Sequence, residues 1–180
     1  MVLSLLGRFR CRRREWWPTG RADLRVLPMA GDRKPIPFLN TSFEEQWGQF
    51  SPDGRWVAYQ SNESGRFEVY VQPFPGPGGQ WQVSKNGGAY PRWQRDGKEL
   101  YYLAPDSKLM AAPVRSVSTA FEAGAPAPLF QTRIVFSGNF TFRHNYAVAA
   151  DGRFLINVPV EEATTSPITV ILNWKPGLKP

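Results

Sequence analysis

Phe50-Ser51-Pro52-Asp53-Gly54-Arg55-Trp56-Val57-Ala58-Tyr59 decides the fold, because its plan returns twice. It returns as Trp93-Gln94-Arg95-Asp96-Gly97-Lys98-Glu99-Leu100-Tyr101-Tyr102 and as Val148-Ala149-Ala150-Asp151-Gly152-Arg153-Phe154-Leu155-Ile156-Asn157. Each copy has an apolar residue three before the Asp, then Asp-Gly, then a base, then an apolar run. Asp-Gly between two such runs is hairpin chemistry: Gly accepts a positive φ, and Asp caps backbone N–H groups through its side chain. The three Asp residues stand 43 and 55 positions apart. A hairpin signal returning at roughly 40–50 residues marks the blade of a β-propeller.

Composition agrees with an all-β chain. The 180 residues are long enough for one real core, and 16 Gly and 17 Pro beside 14% aromatics suit short strands joined by tight turns. The net charge of +7 is concentrated at the start: residues 1–34 carry +6 and the rest only +1. A nearly neutral body gives no extended footprint for a phosphate backbone, so no nucleic-acid partner is expected. Cys11 is the single cysteine, which excludes an intrachain disulfide and a cysteine-based metal site. No apolar run reaches the ~18 residues of a membrane-spanning helix. Val2-Leu3-Ser4-Leu5-Leu6 is too short for a secretory signal and precedes its Arg cluster instead of following it.

Along the chain, residues 1–21 read as a basic, disordered arm. Residues 22–176 read as a partial propeller of about three antiparallel blades. Residues 22–45 form a half blade of two strands, and blades follow at 46–88, 89–131 and 132–175. In the first full blade strands are expected near 47–50, 55–60, 67–74 and 80–84. In the second they fall at Tyr90–Trp93, 98–103, 108–114 and 128–131, with Ser116 to Gly124 as a linker. The third carries its extra length before its Asp-Gly and ends on Ile168 to Trp174. Such a count is about half of a typical ring, so two broad apolar blade faces are expected to meet further blades or another copy.

Residues 46–175 resemble the TolB-like propellers, whose repeats carry a Pro-Asp-Gly turn. The Phe50–Tyr59 string matches that repeat closely, with Arg95 and Ala150 in the Pro position of the later copies. The string Val69-Tyr70-Val71-Gln72-Pro73-Phe74-Pro75-Gly76, then Trp81-Gln82-Val83-Ser84 and Gly87-Gly88, is similar to the C-terminal propeller of many bacterial serine/threonine protein kinases. The tail from Ile168 to Lys175 resembles the end of those proteins. The resemblance implies a fragment of a six-bladed propeller, a WD-repeat-like protein-binding or sensor module, lying outside the membrane when part of a receptor-like kinase. The chain itself has no Gly-rich phosphate loop, His-Arg-Asp loop or Asp-Phe-Gly. Two other readings compete: a propeller that gates substrate to a peptidase-like catalytic domain, and a purely structural interaction piece.

No catalytic residue, metal or cofactor is expected. His144 is the only histidine, and no Gly-x-Ser-x-Gly elbow accompanies it. Gly76, Gly78 and Gly79 make a poor phosphate cradle, because Pro77 lacks an N–H and no Lys-Ser/Thr follows. Asp53, Gly54, Asp96, Gly97, Asp151 and Gly152 read as turn residues, each Asp on its own blade and several blade widths from the next. Trp47 and Tyr90 both sit six before their Asp, and Phe50 and Trp93 both three before. Such repetition reads first as packing between blades. Residues at the start of an innermost strand also line the channel mouth, so Trp47, Tyr90, Arg92, Arg143 and Asn145 are the candidate contacts for a protein or peptide. The two arginines would supply charged hydrogen bonds to a carboxylate.

Overall fold

The computed structural model describes residues 2–3, 9–13, 22–76, 78–117, 120–134 and 145–158. Among them every regular element is a strand. They are β1 (Val2–Leu3), β2 (Phe9–Arg13), β3 (Leu24–Pro28), β4 (Ile36–Leu39), β5 (Glu45–Phe50), β6 (Trp56–Ser61), β7 (Glu68–Pro73) and β8 (Trp81–Gln82). There follow β9 (Ala89–Trp93), β10 (Glu99–Leu103), β11 (Lys108–Val117), β12 (Ala120–Ala123), β13 (Ala127–Gln131), β14 (Tyr146–Val148) and β15 (Phe154–Ile156).

These strands make four antiparallel sheets in chain order. Sheet one runs β1-β2-β3-β4 and sheet two β5-β6-β7-β8. Sheet three runs β9-β10-β11, and its outer edge is shared by β13 on the first half of β11 and β12 on the second. Sheet four is the hairpin β14-β15. The first strands of successive sheets meet, β1 with β5, β5 with β9 and β9 with β14. Meanders whose first strands lie together and whose faces stack are the blades of a propeller.

The packing follows from the two-residue period of a strand. In β6, Val57 and Tyr59 join Leu24, Val26 and Leu39 of sheet one, while Trp56 and Ala58 join Leu100 and Tyr102 of sheet three. In β10, Tyr101 and Leu103 turn instead to Ile134 and Tyr146. Alternate residues of one strand thus serve opposite neighbours, which is why β6 is buried from end to end. Each fully buried large side chain contributes about 1.5–3 kcal/mol.

Three expectations are corrected here. The arm over residues 1–21 is not wholly disordered: β1 and β2 extend sheet one, with Cys11 opposite Val26 and Arg12 opposite Arg25. Phe9-Arg10-Cys11-Arg12 alternates apolar and basic residues, which a strand accommodates, and β3 offers it a free edge. The half blade at 22–45 is therefore the outer half of a four-stranded sheet. The linker from Ser116 to Gly124 is a hairpin, because β11 continues to Val117 and pairs with β12, Ser116 opposite Phe121. In the third blade the structure describes only residues 132–134 and 145–158, and the strand expected at 168–174 lies outside the described residues. Leu155 on sheet four and Ile36 on sheet one are 74% and 53% exposed, so both end sheets carry apolar surface.

Candidate functional site

The three Asp-Gly corners share one geometry. Gly54, Gly97 and Gly152 have φ of 72°, 73° and 83°. Each donates its N–H three residues back, to the carbonyls of Ser51, Gln94 and Ala149. Each Asp accepts from the backbone N–H two residues on: Asp53 from Arg55 at 3.1 Å, Asp96 from Lys98 at 2.9 Å and Asp151 from Arg153 at 3.2 Å. The base after the Gly then closes on the same carboxylate, Arg55 Nε and Arg153 Nε each at 2.8 Å. Burial pulls the Asp53 carboxyl upward, and hydrogen bonds from Ser51 and Arg55 outweigh it, leaving its pKa below the ordinary value. Asp53 and Asp96 are closer than expected: consecutive blades bring both corners to one cleft. Two carboxylates do not make a metal site, and no group of three candidate ligands occurs among the described residues.

The other end of the inner strands holds the candidate contacts. Trp47 and Tyr90 occupy the same repeat position, and both have a left-handed backbone, φ 58° and 57°. The pairing of β5 with β6 slips between Gln46 and Gln49, and that of β9 with β10 slips where Tyr90 and Pro91 fall. A bulge therefore sits at the same place in two neighbouring blades, and bulges re-aim side chains. The two rings meet edge to face with centroids 5.2 Å apart. The bulge takes the Tyr90 N–H out of the ladder, and the side-chain Oε1 of the buried Gln60 in the neighbouring sheet accepts it at 2.9 Å.

Arg92, two residues on from Tyr90, is 8% exposed. Its Nη1 donates to the Pro91 carbonyl at 2.9 Å, and its guanidinium stands 5.6 Å over the Tyr146 ring. Burial draws the Arg92 pKa below its ordinary value, and the Tyr146 hydroxyl opposes that shift. Tyr146 donates its hydroxyl to the Tyr90 carbonyl at 2.8 Å, tying sheet four to the bulge. Asn145, at the repeat position of Trp47 and Tyr90, is half-buried and its carbonyl accepts from Asn157 N–H at 2.9 Å. Arg143 lies outside the described residues. Trp47, Tyr90 and Arg92 thus come together, and Gln60 and Tyr146 join them without a repeat signal to announce them. Tyr90, Arg92 and Tyr146 are buried, Trp47 is half-buried at the edge of the cluster, and the Pro91 and Tyr90 carbonyls are taken by Arg92 and Tyr146.

Stacked meanders with Asp-Gly corners and a cluster where the first strands meet define a TolB-like β-propeller, present here in part. Among solved structures, the chain matches the crystal structure of TolB from Acinetobacter baumannii with a TM-score of 0.56 at 18% identity, over 89% of this chain and 42% of that one. It matches a TolB candidate from Agrobacterium tumefaciens with a TM-score of 0.52 at 13% identity, over 68% of this chain and 47% of that one. The chain therefore spans less than half the length of either. No protein-family model and no curated protein matches it.

Proposed function

We propose that the chain is a non-catalytic binding module, part of a propeller that takes a protein or peptide segment where its first strands meet. The observation that carries this reading is the Trp47–Tyr90 pair. Two bulky residues hold left-handed backbone at equivalent places, with their rings in contact. Strain of this kind gathers at binding and catalytic sites, where it fixes geometry that ordinary strand would not give. The fold by itself would not carry the reading, because propellers host many functions.

The finer proposal is that the module belongs to a bacterial receptor-like serine/threonine kinase and faces away from the cytoplasm. It is supported by the likeness of Val69 to Gly76 and of Ile168 to Lys175 to the C-terminal propellers of such kinases. In-frame kinase motifs and further Asp-Gly blades upstream of Met1 in the coding DNA are expected. Upstream coding sequence without them would sink the kinase parentage. The binding role is tested by peptide display on the immobilised chain. Peptides enriched on it should bind Trp47→Gly at least about tenfold more weakly, a difference of roughly 1.4 kcal/mol, compared at a temperature where both chains are folded. Undiminished binding by that variant would remove the site.

A further inference from the structure

A cleft of about 120 Å³ lies between the Asp-Gly corners of sheets two and three, toward the other end of β5 and β9 from the Trp47–Tyr90 pair. Half-buried Trp93 and the buried Trp56 and Phe121 form its apolar wall, and Asp53, Asp96 and Ser116 add polar groups. Three observations separate it from an ordinary seam between blades. Trp56 stands three after its Asp, where the other repeats have Glu99 and Phe154. The hairpin of β11 and β12, which has no counterpart in sheet two, brings Val114, Ser116 and Phe121 to the cleft. And Trp56 is 2% exposed with an indole Nε1 that has no hydrogen-bond partner among the described residues. Buried donors are nearly always paired, and an unpaired one is costly.

We propose that this cleft binds an arginine side chain from an extended segment of a partner protein, its guanidinium against the Asp53 and Asp96 carboxylates and a backbone carbonyl of the same segment accepting from Trp56 Nε1. The proposal rests on the protein-binding reading but places a second contact on different residues. Arginine fits the mixture. Its planar cation stacks on aromatic faces and forks onto carboxylates, and its stem covers apolar surface. Each carboxylate already meets a base of its own turn, Arg55 Nε at 2.8 Å and Lys98 Nζ at 3.9 Å. Those bases are 53% and 81% exposed, and such pairs contribute little. Asp53 also accepts from Ser51 Oγ and the Arg55 N–H, and Asp96 from the Lys98 N–H. With about four acceptor positions on each carboxylate, Asp96 keeps the larger share for an incoming guanidinium and Asp53 the smaller. The ring contacts of Trp56 and Trp93 with Phe121, at 5.2 and 6.2 Å, hold the walls in place.

The experiment is an NMR titration of the full chain with N-acetyl-arginine amide, then with its neutral isostere N-acetyl-citrulline amide. The Trp56 indole N–H resonance, assigned by its loss in Trp56→Phe, should move with the arginine derivative and much less with the citrulline one. Asp53→Asn/Asp96→Asn keeps the turn acceptors and should weaken binding about tenfold. An unmoved Trp56 resonance, an equal response to both compounds, or unchanged affinity in the double variant overturns the proposal. So does a shift caused by a neutral disaccharide and not by the arginine derivative. Should the double variant fail to fold, Trp56→Phe keeps the ring and must still bind more weakly; unchanged affinity there is equally fatal. Trp47→Gly should leave the arginine response intact. Its loss in that variant would place the arginine at the Trp47–Tyr90 pair, sinking this cleft and sparing the binding function.

Discussion

Trp47 and Tyr90 show how one residue's backbone and side chain can pull in opposite directions. Left-handed backbone costs an L-residue about 1–2 kcal/mol, and glycine escapes that cost. Trp47→Gly therefore relieves that strain while losing a half-buried ring and its edge-to-face contact. Its net loss should stay below about 2 kcal/mol by urea unfolding, against the 3–5 typical of truncating a buried Trp. A full-sized loss would mean that no strain is stored there. Glu45 makes a second case. It is 2% exposed, Thr41 donates to one of its oxygens, and the other has no partner among the described residues. Burial raises its pKa above 4.5, with Asp23 and Glu63 adding to the rise and the Thr41 hydrogen bond opposing it. Between that value and the higher folded one, the native state binds more protons than the unfolded chain. Glu45 thus makes stability fall as pH rises through this window. Glu45→Gln should flatten that stretch of the curve of urea midpoint against pH; an unchanged slope would contradict the raised pKa.

At the scale of elements, the corners do most to set the architecture. At Gly97 a Cβ would meet only Pro52 Cδ and Cγ, at 3.7 and 3.9 Å, so Gly97→Ala faces the conformational penalty alone, about 1–2 kcal/mol. At Gly87, φ is 91° and a Cβ would fall 2.4 Å from Pro105 Cγ in the next sheet. Gly87→Ala should therefore destabilise more than Gly97→Ala when thermal melts are compared, and the reverse order would discredit this packing. The same corners made β5 to β7 and β9 to β11 legible, since Asp-Gly and strict alternation are local signals. β2 was hidden by Arg12-Arg13-Arg14, which reads as a solvated charge run until β3 is there to pair with it. β12 was hidden because Ser116 to Gly124 owes its hairpin to the prolonged β11 and not to its own composition. The site divided in the same way. Trp47 and Tyr90 could be found by counting back from Asp53 and Asp96. Gln60 and Tyr146 could not, because their bonds to Tyr90 span 30 and 56 residues.

Across the whole molecule, stability resides in the seams between sheets. Trp93 packs against the seam of sheets two and three and donates its indole N–H to the Gln49 carbonyl at 3.1 Å. Trp93→Ala should destabilise by about 3–5 kcal/mol. Trp93→Phe, which mainly deletes the hydrogen bond, should cost nearer 1 kcal/mol. Denaturant unfolding distinguishes them, and a loss below 1 kcal/mol for the alanine variant would put Trp93 on the surface. The assignment of alternate residues of β6 and β10 to opposite seams also makes the molecule sensitive to parity. Deleting one residue within either strand hands each following side chain to the wrong side and spoils two seams together. Deleting two shortens the strand but returns every survivor to its proper side, so the larger lesion should be the milder one.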